Sequence, residues 1–205
     1  MQTGKVDSSF LVQLLLRPEA VFEKLATFRP EPVDLIMKSV VWLALLPPVF
    51  AYFGGKWFGW RLGADKPLYF PDYELKAISA AYFGILVFGY LSTAVVSRWM
   101  ATTYGARRSF GIHLALVCFV GAPLMLVSCL HLYPDVLINA IGLVFGLLWS
   151  AYLLFRGIPV ALQIDAQHGM LMASSIVAWL MVGFVSLLGI TVVLWQRGIG
   201  PAIWA

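Results

Sequence analysis

Two hundred and five residues would suit one or two soluble domains, but 61% of them are hydrophobic, 12% are charged, and the mean hydropathy is +0.87. Soluble chains carry about 25% charged residues, so this composition cannot build a water-facing surface, and a soluble enzyme is excluded. The 14 Lys and Arg against 10 Asp and Glu give a net charge of +4, too scattered for a nucleic-acid stripe but sufficient to orient a chain in a membrane.

Residues 1–34 are expected to form a cytoplasmic N-terminal segment. Ser8 or Ser9 can cap a short turn carrying Phe10, Leu11, Leu14 and Leu15. Pro18 then stands where a second helix can begin, because its missing N–H would be unpaired there. Val21, Phe22, Leu25 and Phe28 recur at helical spacing, Glu19, Glu23 and Lys24 fall largely elsewhere, and Pro30 and Pro32 end the pattern. Such a helix is too short to span, so it lies in the inner interface or docks on the bundle, and its glutamates favour docking over attraction to anionic lipid.

Crossing about 30 Å of hydrocarbon takes about 20 apolar residues in a helix. Five runs free of acidic residues qualify, at 35–54, 77–97, 110–130, 136–155 and 170–195. They do not alternate as barrel strands would, and the first begins too far from Met1 for a secretory signal. The expected fold is all-α: a bundle of five transmembrane helices over 35–205, preceded by the short amphipathic helix.

Orientation follows from the basic residues between spans. Lys5, Arg17, Lys24, Arg29, Lys38, Arg98, Arg107, Arg108 and Arg156 fall on the side of the N-terminus; Lys56, Arg61, Lys66, Lys76 and Arg197 fall on the other. The larger group predicts a cytoplasmic N-terminus and, after five spans, an outside C-terminus. Trp57, Phe58, Trp60, Tyr69, Phe70 and Tyr73 crowd the first loop, as rings at the headgroup layer do.

Within the spans, Pro47, Pro48 and Pro123 are expected to bend their helices. Cys118, Met125 and Cys129 share a stripe of the third span, a spacing a soft metal could use but one that ordinary packing explains better. Gly142 and Gly146 form a GxxxG, read first as a close helix crossing within the chain and second as a homodimer seam. Asn139, Ser150 and Tyr152 head the weakly polar residues of the span centres; a cavity lined by them would favour transport, a dry centre scaffolding. The spans hold no acidic residue, which disfavours proton coupling.

No nucleophile elbow, P-loop, dinucleotide fingerprint or zinc-protease motif occurs, so neither a catalytic residue nor a cofactor site is assigned. Asp165 and His168, at i and i+3, are the weak metal candidates, with Glu19, Glu23 and His113 expected on the same membrane side; a helix cap and a solvated histidine explain the pair better. Gly157 is expected to end the fourth helix in a left-handed conformation, with Pro159 preventing continuation and Val160 to Gln163 lying along the interface.

The stretch GAPLML around Pro123, the turn LYPDV, the run YLLFRGIPVALQI from Tyr152 through Gly157 and Pro159, and GMLMASSIVAWL opening the last span resemble the bacterial inner-membrane branch of the Yip family. The likeness covers roughly Phe10 to Trp195 and is sharpest from Leu116 to Met170. It implies a five-span protein with a cytoplasmic N-terminus and no assigned reaction, in which Pro123, Tyr152, Gly157 and Pro159 are structural. Eukaryotic relatives bind small GTPases, take part in vesicle traffic and membrane shaping, and carry a long cytoplasmic N-terminal region; with 34 residues in its place here, GTPase binding is not carried over.

The leading functional reading is therefore a non-catalytic integral membrane protein that organises protein partners or lipid. A pore or small-solute transporter is the alternative. Expected partners are membrane lipids, a membrane or cytoplasmic protein that could meet Arg107, Arg108 and Arg156, and a possible second copy of the chain, with no nucleic acid and no cofactor.

Overall fold

The structure is a computed structural model that describes residues 13–14, 17–27, 30–61 and 66–197, the side chain of Trp195 excepted. The expected cap at Ser8 or Ser9 lies outside the described residues, although Leu14 is buried. Among the described residues six helices follow Leu14 in chain order: α1 (Pro18–Thr27), α2 (Pro32–Phe58), α3 (Asp72–Thr103), α4 (Phe110–Leu132), α5 (Val136–Leu162) and α6 (Ala166–Gln196). Among the described residues, α2 to α6 are the five helices long and apolar enough to cross a membrane. They run alternately up and down, so one end of the bundle, called proximal because α1 packs there, gathers the start of α2, the end of α3, the start of α4, the end of α5 and the start of α6.

The helices are longer than the apolar runs that announce them. Asp72 and Glu74 sit in the first turn of α3, where carboxylates favour the positive end of the helix dipole. Asp135 accepts hydrogen bonds from Leu137 N at 3.0 Å and Ile138 N at 3.1 Å and so caps α5. In α3 the charged residues Asp72, Glu74 and Lys76 end a hydrophobic run without ending the helix. The start of α2 holds one unannounced feature, a π-helical turn over Ile36–Val40.

One expected helix end is corrected. Gly157 does not terminate α5, and its φ is not left-handed; the helix runs through Pro159 to Leu162, and Gln163 takes the left-handed cap at φ 55°. Counting backbone groups explains this. Continuing past Pro159 forfeits one hydrogen bond, and up to four terminal carbonyls go without helical partners wherever the helix stops, but at Leu162 they lie beyond the apolar run, where Gln163 N and Ile164 N donate to Pro159 O and Arg108 donates to Leu162 O.

At the centre of the bundle is α4. Half of its most apolar window is buried, against about a fifth of the corresponding windows of α2, α3 and α5 and 6% of that of α6. One core cluster joins α1, α4, α5 and α6 around Phe22, Leu116, Ile158 and Met172 at the proximal end; a second joins α2, α3 and α4 around Val40, Tyr90, Ala94 and Cys118. Cys118 is buried while Cys129, beyond the change to 3₁₀ winding at Ser128–Leu132, is exposed, so the two thiols do not share an environment.

At the distal end the first loop is fastened to the α4–α5 turn. Trp60 pairs with Leu68, Arg61 N donates to Pro134 O at 2.9 Å, and Val136 N donates to Arg61 O at 3.2 Å. Gly142 and Gly146 of α5 face α4: a Cβ on Gly142 would run into Leu130 and Val127, and one on Gly146 would meet Leu124 Cδ2 at 3.3 Å. Both positions are thus filled from within the chain. Gly142→Leu is expected to destabilise the bundle by about 1–3 kcal/mol through overpacking, read as a lower unfolding temperature in detergent. Gly183→Leu on α6, where no atom lies within 4 Å of the added Cβ, should leave it nearly unchanged.

Candidate functional site

The proximal face is organised by one aromatic ring. Phe22 of α1 is fully buried, and a Cβ on Gly157 would come within 2.6 Å of its Cζ. Glycine is needed at position 157 for this close approach rather than for a turn. Val21 and Leu25 bury beside Phe22, so the i, i+1, i+4 face of α1 is against the bundle and Glu23 and Lys24 are outward. One residue before the seat, Arg156 donates to Glu19 Oε1 at 3.1 Å, holding the first turn of α1. The pair is more than half exposed and contributes about 0–1 kcal/mol, so the ring rather than the charges fixes the helix.

The three arginines do different things. Arg108 donates from Nε to the carbonyl of Leu162 at 3.4 Å, where a cation suits the negative end of α5. Arg156 is paired to α1, and Arg107 is exposed. Beside them Tyr104 and Ser175 join α3 to α6 at 2.9 Å; since the Ser175 hydroxyl already donates to Leu171 O, Tyr104 is the donor.

Asp165 and His168 are together, as their spacing implies. His168 donates from Nδ1 to Asp165 Oδ1, and its backbone N donates to Oδ2 at 3.1 Å, so Asp165 is a cap for α6. The histidine's hydrogen bond holds the Asp165 carboxyl below the usual carboxylate range. A folded-state pKa lowered in this way adds stability in full above the ordinary carboxylate pKa, and that stability is lost as pH falls through the lowered value. Asp165 and His168 line a polar depression of about 450 Å³ with Thr103, Tyr104 and Gln163. Glu19 and His113 do not join them: Glu19 is on Arg156, and His113 is buried on α4 with Nδ1 2.9 Å from Ser97 Oγ. Among the described residues no three His, Cys, Asp or Glu side chains gather as a metal site.

The residues expected to line a central cavity are dispersed. Tyr152 is exposed on the outside of α5 with its ring 5.4 Å from Trp149, and Ser150 is buried. Asn139 lies in the first distal turn, where its Nδ2 donates to Tyr133 O at 3.1 Å and Asp135 O at 2.8 Å. Its Oδ1 is therefore the acceptor for His131 Nδ1 at 2.5 Å, which leaves His131 Nε2 to accept from Tyr82 at 3.5 Å. These groups tie the distal ends of α3, α4 and α5. Pro123 is buried inside α4, and Pro159 meets Gly169 of α6, where a Cβ would stand 2.8 Å from the proline Cβ.

The sequence model of the Yip1 domain matches residues 12–187. The chain belongs to the Yip1 domain family. It is 30% identical over 159 residues to the inner membrane protein YohC of Escherichia coli K12, covering 78% of this chain and 82% of YohC, and matches YohC of Escherichia coli O6:H1 (strain CFT073) to the same extent. No solved structure matches it significantly. The matched region takes in α1 together with all five long helices up to residue 187, so the docked helix is within the family domain rather than an appendage to it.

Sequence reasoning placed α1 but not its seat, because Phe22 and Gly157 are far apart in the chain. The available signal was a glycine inside a long apolar helix, which costs about 1 kcal/mol unless close packing requires it. Phe22→Ala should cost about 3–5 kcal/mol if α1 is counted in the cooperative unit. Limited proteolysis should then cut within 18–27 in the variant and spare the wild-type protein.

Proposed function

We propose that this chain is a non-catalytic, multi-pass protein of the bacterial inner membrane that organises protein partners, with its N-terminus and proximal face in the cytoplasm. The observation that carries the reading is the seating of Phe22 on Gly157. It makes the short helix part of the proximal surface, the end of the bundle that also carries Arg107, which is exposed, and the α5–α6 turn. A binding face made of docked elements keeps its shape without a partner, which lowers the entropy lost on association. The tally of basic residues supports the orientation, and YohC is named an inner membrane protein. Asn139, Ser150 and Tyr152 are dispersed rather than gathered around one cavity, which supports an organising role over transport.

Topology is tested by thiol labelling of Ser8→Cys and Ala205→Cys in a background lacking Cys129. Only Ala205→Cys should react with an impermeant reagent added from outside, and reaction of both ends from one side would refute five spans. The partner reading is tested by a photo-crosslinking residue at position 107. Adducts to one defined protein, lost in Phe22→Ala while membrane insertion persists, are expected; adducts to lipid alone would end the proposal.

A further inference from the structure

On the distal half of the bundle, away from the proximal face, a groove of about 240 Å³ opens sideways between α2 and α3. Its walls are apolar: Leu45, Pro48, Val49 and Phe53 from α2, Phe83 from α3, with Ala80 keeping the α3 wall shallow. From Leu45 to Phe53 it follows α2 for about 12 Å, close to the depth of one leaflet of a hydrocarbon layer of about 30 Å.

Tyr52 lines this groove and also enters a charged cluster at its distal mouth. The Tyr52 hydroxyl donates to Asp72 Oδ1 at 2.6 Å, Lys56 donates to the same oxygen and to the Tyr52 oxygen at 3.2 Å each, and Lys76 reaches Asp72 Oδ2 at 2.6 Å. One carboxylate thus holds two ammonium groups in place and leaves the cluster with one net positive charge. An ammonium has three donors. Lys56 uses two of them here and Lys76 one, so donors remain for another anion, and both lysines are at least half exposed. Helical spacing puts Lys56 one turn beyond Tyr52 on α2 and Lys76 one turn before Ala80 on α3, so both flank the mouth.

We propose that the α2–α3 groove binds one anionic phospholipid of the distal leaflet, with an acyl chain along Pro48, Val49 and Phe83 and its phosphate on Lys56 and Lys76. A zwitterionic lipid would bring an ammonium of its own toward two others. A helix from a second copy would need an acidic side chain at the level of the lysines, and α6, the most exposed span, has none. The site is at the opposite end of the bundle from the proposed partner surface and stands independently of it.

The test is native mass spectrometry of the full-length protein, delipidated in mild detergent and titrated with phosphatidylglycerol, phosphatidylcholine or glycerol phosphate. Phosphatidylglycerol should be retained in preference to phosphatidylcholine. The preference should fall about fivefold for each lysine removed in Lys56→Gln and Lys76→Gln and persist when both become arginine, a pair that also controls for folding. Ala80→Leu should weaken retention of both lipids, because it fills the groove. Equal retention of the two lipids by the wild-type protein, an unchanged preference in the glutamine variants, unchanged retention in Ala80→Leu, or displacement of bound lipid by glycerol phosphate would each overturn the proposal.

Discussion

The bundle depends on how closely its helices can approach α4. Inside a bilayer there is no hydrophobic force between apolar helices, since lipid tails are as apolar as leucine, and association rests on close packing and hydrogen bonds. The small residues are placed accordingly. Gly111 of α4 receives Pro30, and Gly121 of α4 receives the ring of Tyr90 from α3. Gly54 of α2 abuts the carbonyls of His131 and Leu132, and Gly142 and Gly146 of α5 accept leucines from α4. Every helix that touches α4 at length thus does so across a position where a Cβ would collide. By contrast, the glycines of α6 beyond its first turn, Gly183 and Gly189, meet nothing within 4 Å, and α6 is the least buried span.

The two ends of the bundle are secured by different chemistry. At the distal end short polar links predominate: the Tyr82, His131 and Asn139 chain, the Asp135 cap, and Arg61 placed 5.0 Å from the Tyr133 ring centroid. At the proximal end the connection is mainly apolar, through Phe22, Ile158, Leu162 and Met172, with Arg108 and Asp165 closing helix termini. Hydrogen-bonded turns set the spacing of helices that already touch. Apolar packing, through Val21, Phe22 and Leu25, is what holds α1 on the surface of α5.

The spans and the short N-terminal helix were legible because both are periodic or compositional signals: runs of about 20 apolar residues and a three-to-four spacing after Pro18. Helix ends were not. Hydropathy reports where the apolar layer stops, and α3 and α5 continue past it because a helix hydrogen-bonds itself in water as well as in lipid. Asn139 was counted with the span interior for the same reason, since it follows Val136 in an apolar run, yet it serves the turn before it. The Asp165 cap needed only local spacing and was read. The Phe22 seat needed a contact between residues of opposite ends of the chain and was invisible, as was the π-helical turn over Ile36–Val40, whose residues carry no glycine or proline.

The position of Gly157 links these observations. A glycine there has no conformational role, because its backbone is helical, and it stands two residues before a proline that the helix survives. Both are weak points for a helix, yet both occur where a neighbour comes close, Phe22 on Gly157 and Gly169 on Pro159. The end of α5 therefore gives up some intrinsic helical stability and gains two contacts, one that holds α1 and one that brings the start of α6 into place. Because Ile158, between them, is fully buried in the same cluster, a change at either contact is transmitted to the other through a core that has no room to absorb it. The proximal face is in this sense one packed unit, and its outward residues on α1 and in the α5–α6 turn keep a fixed relation to one another.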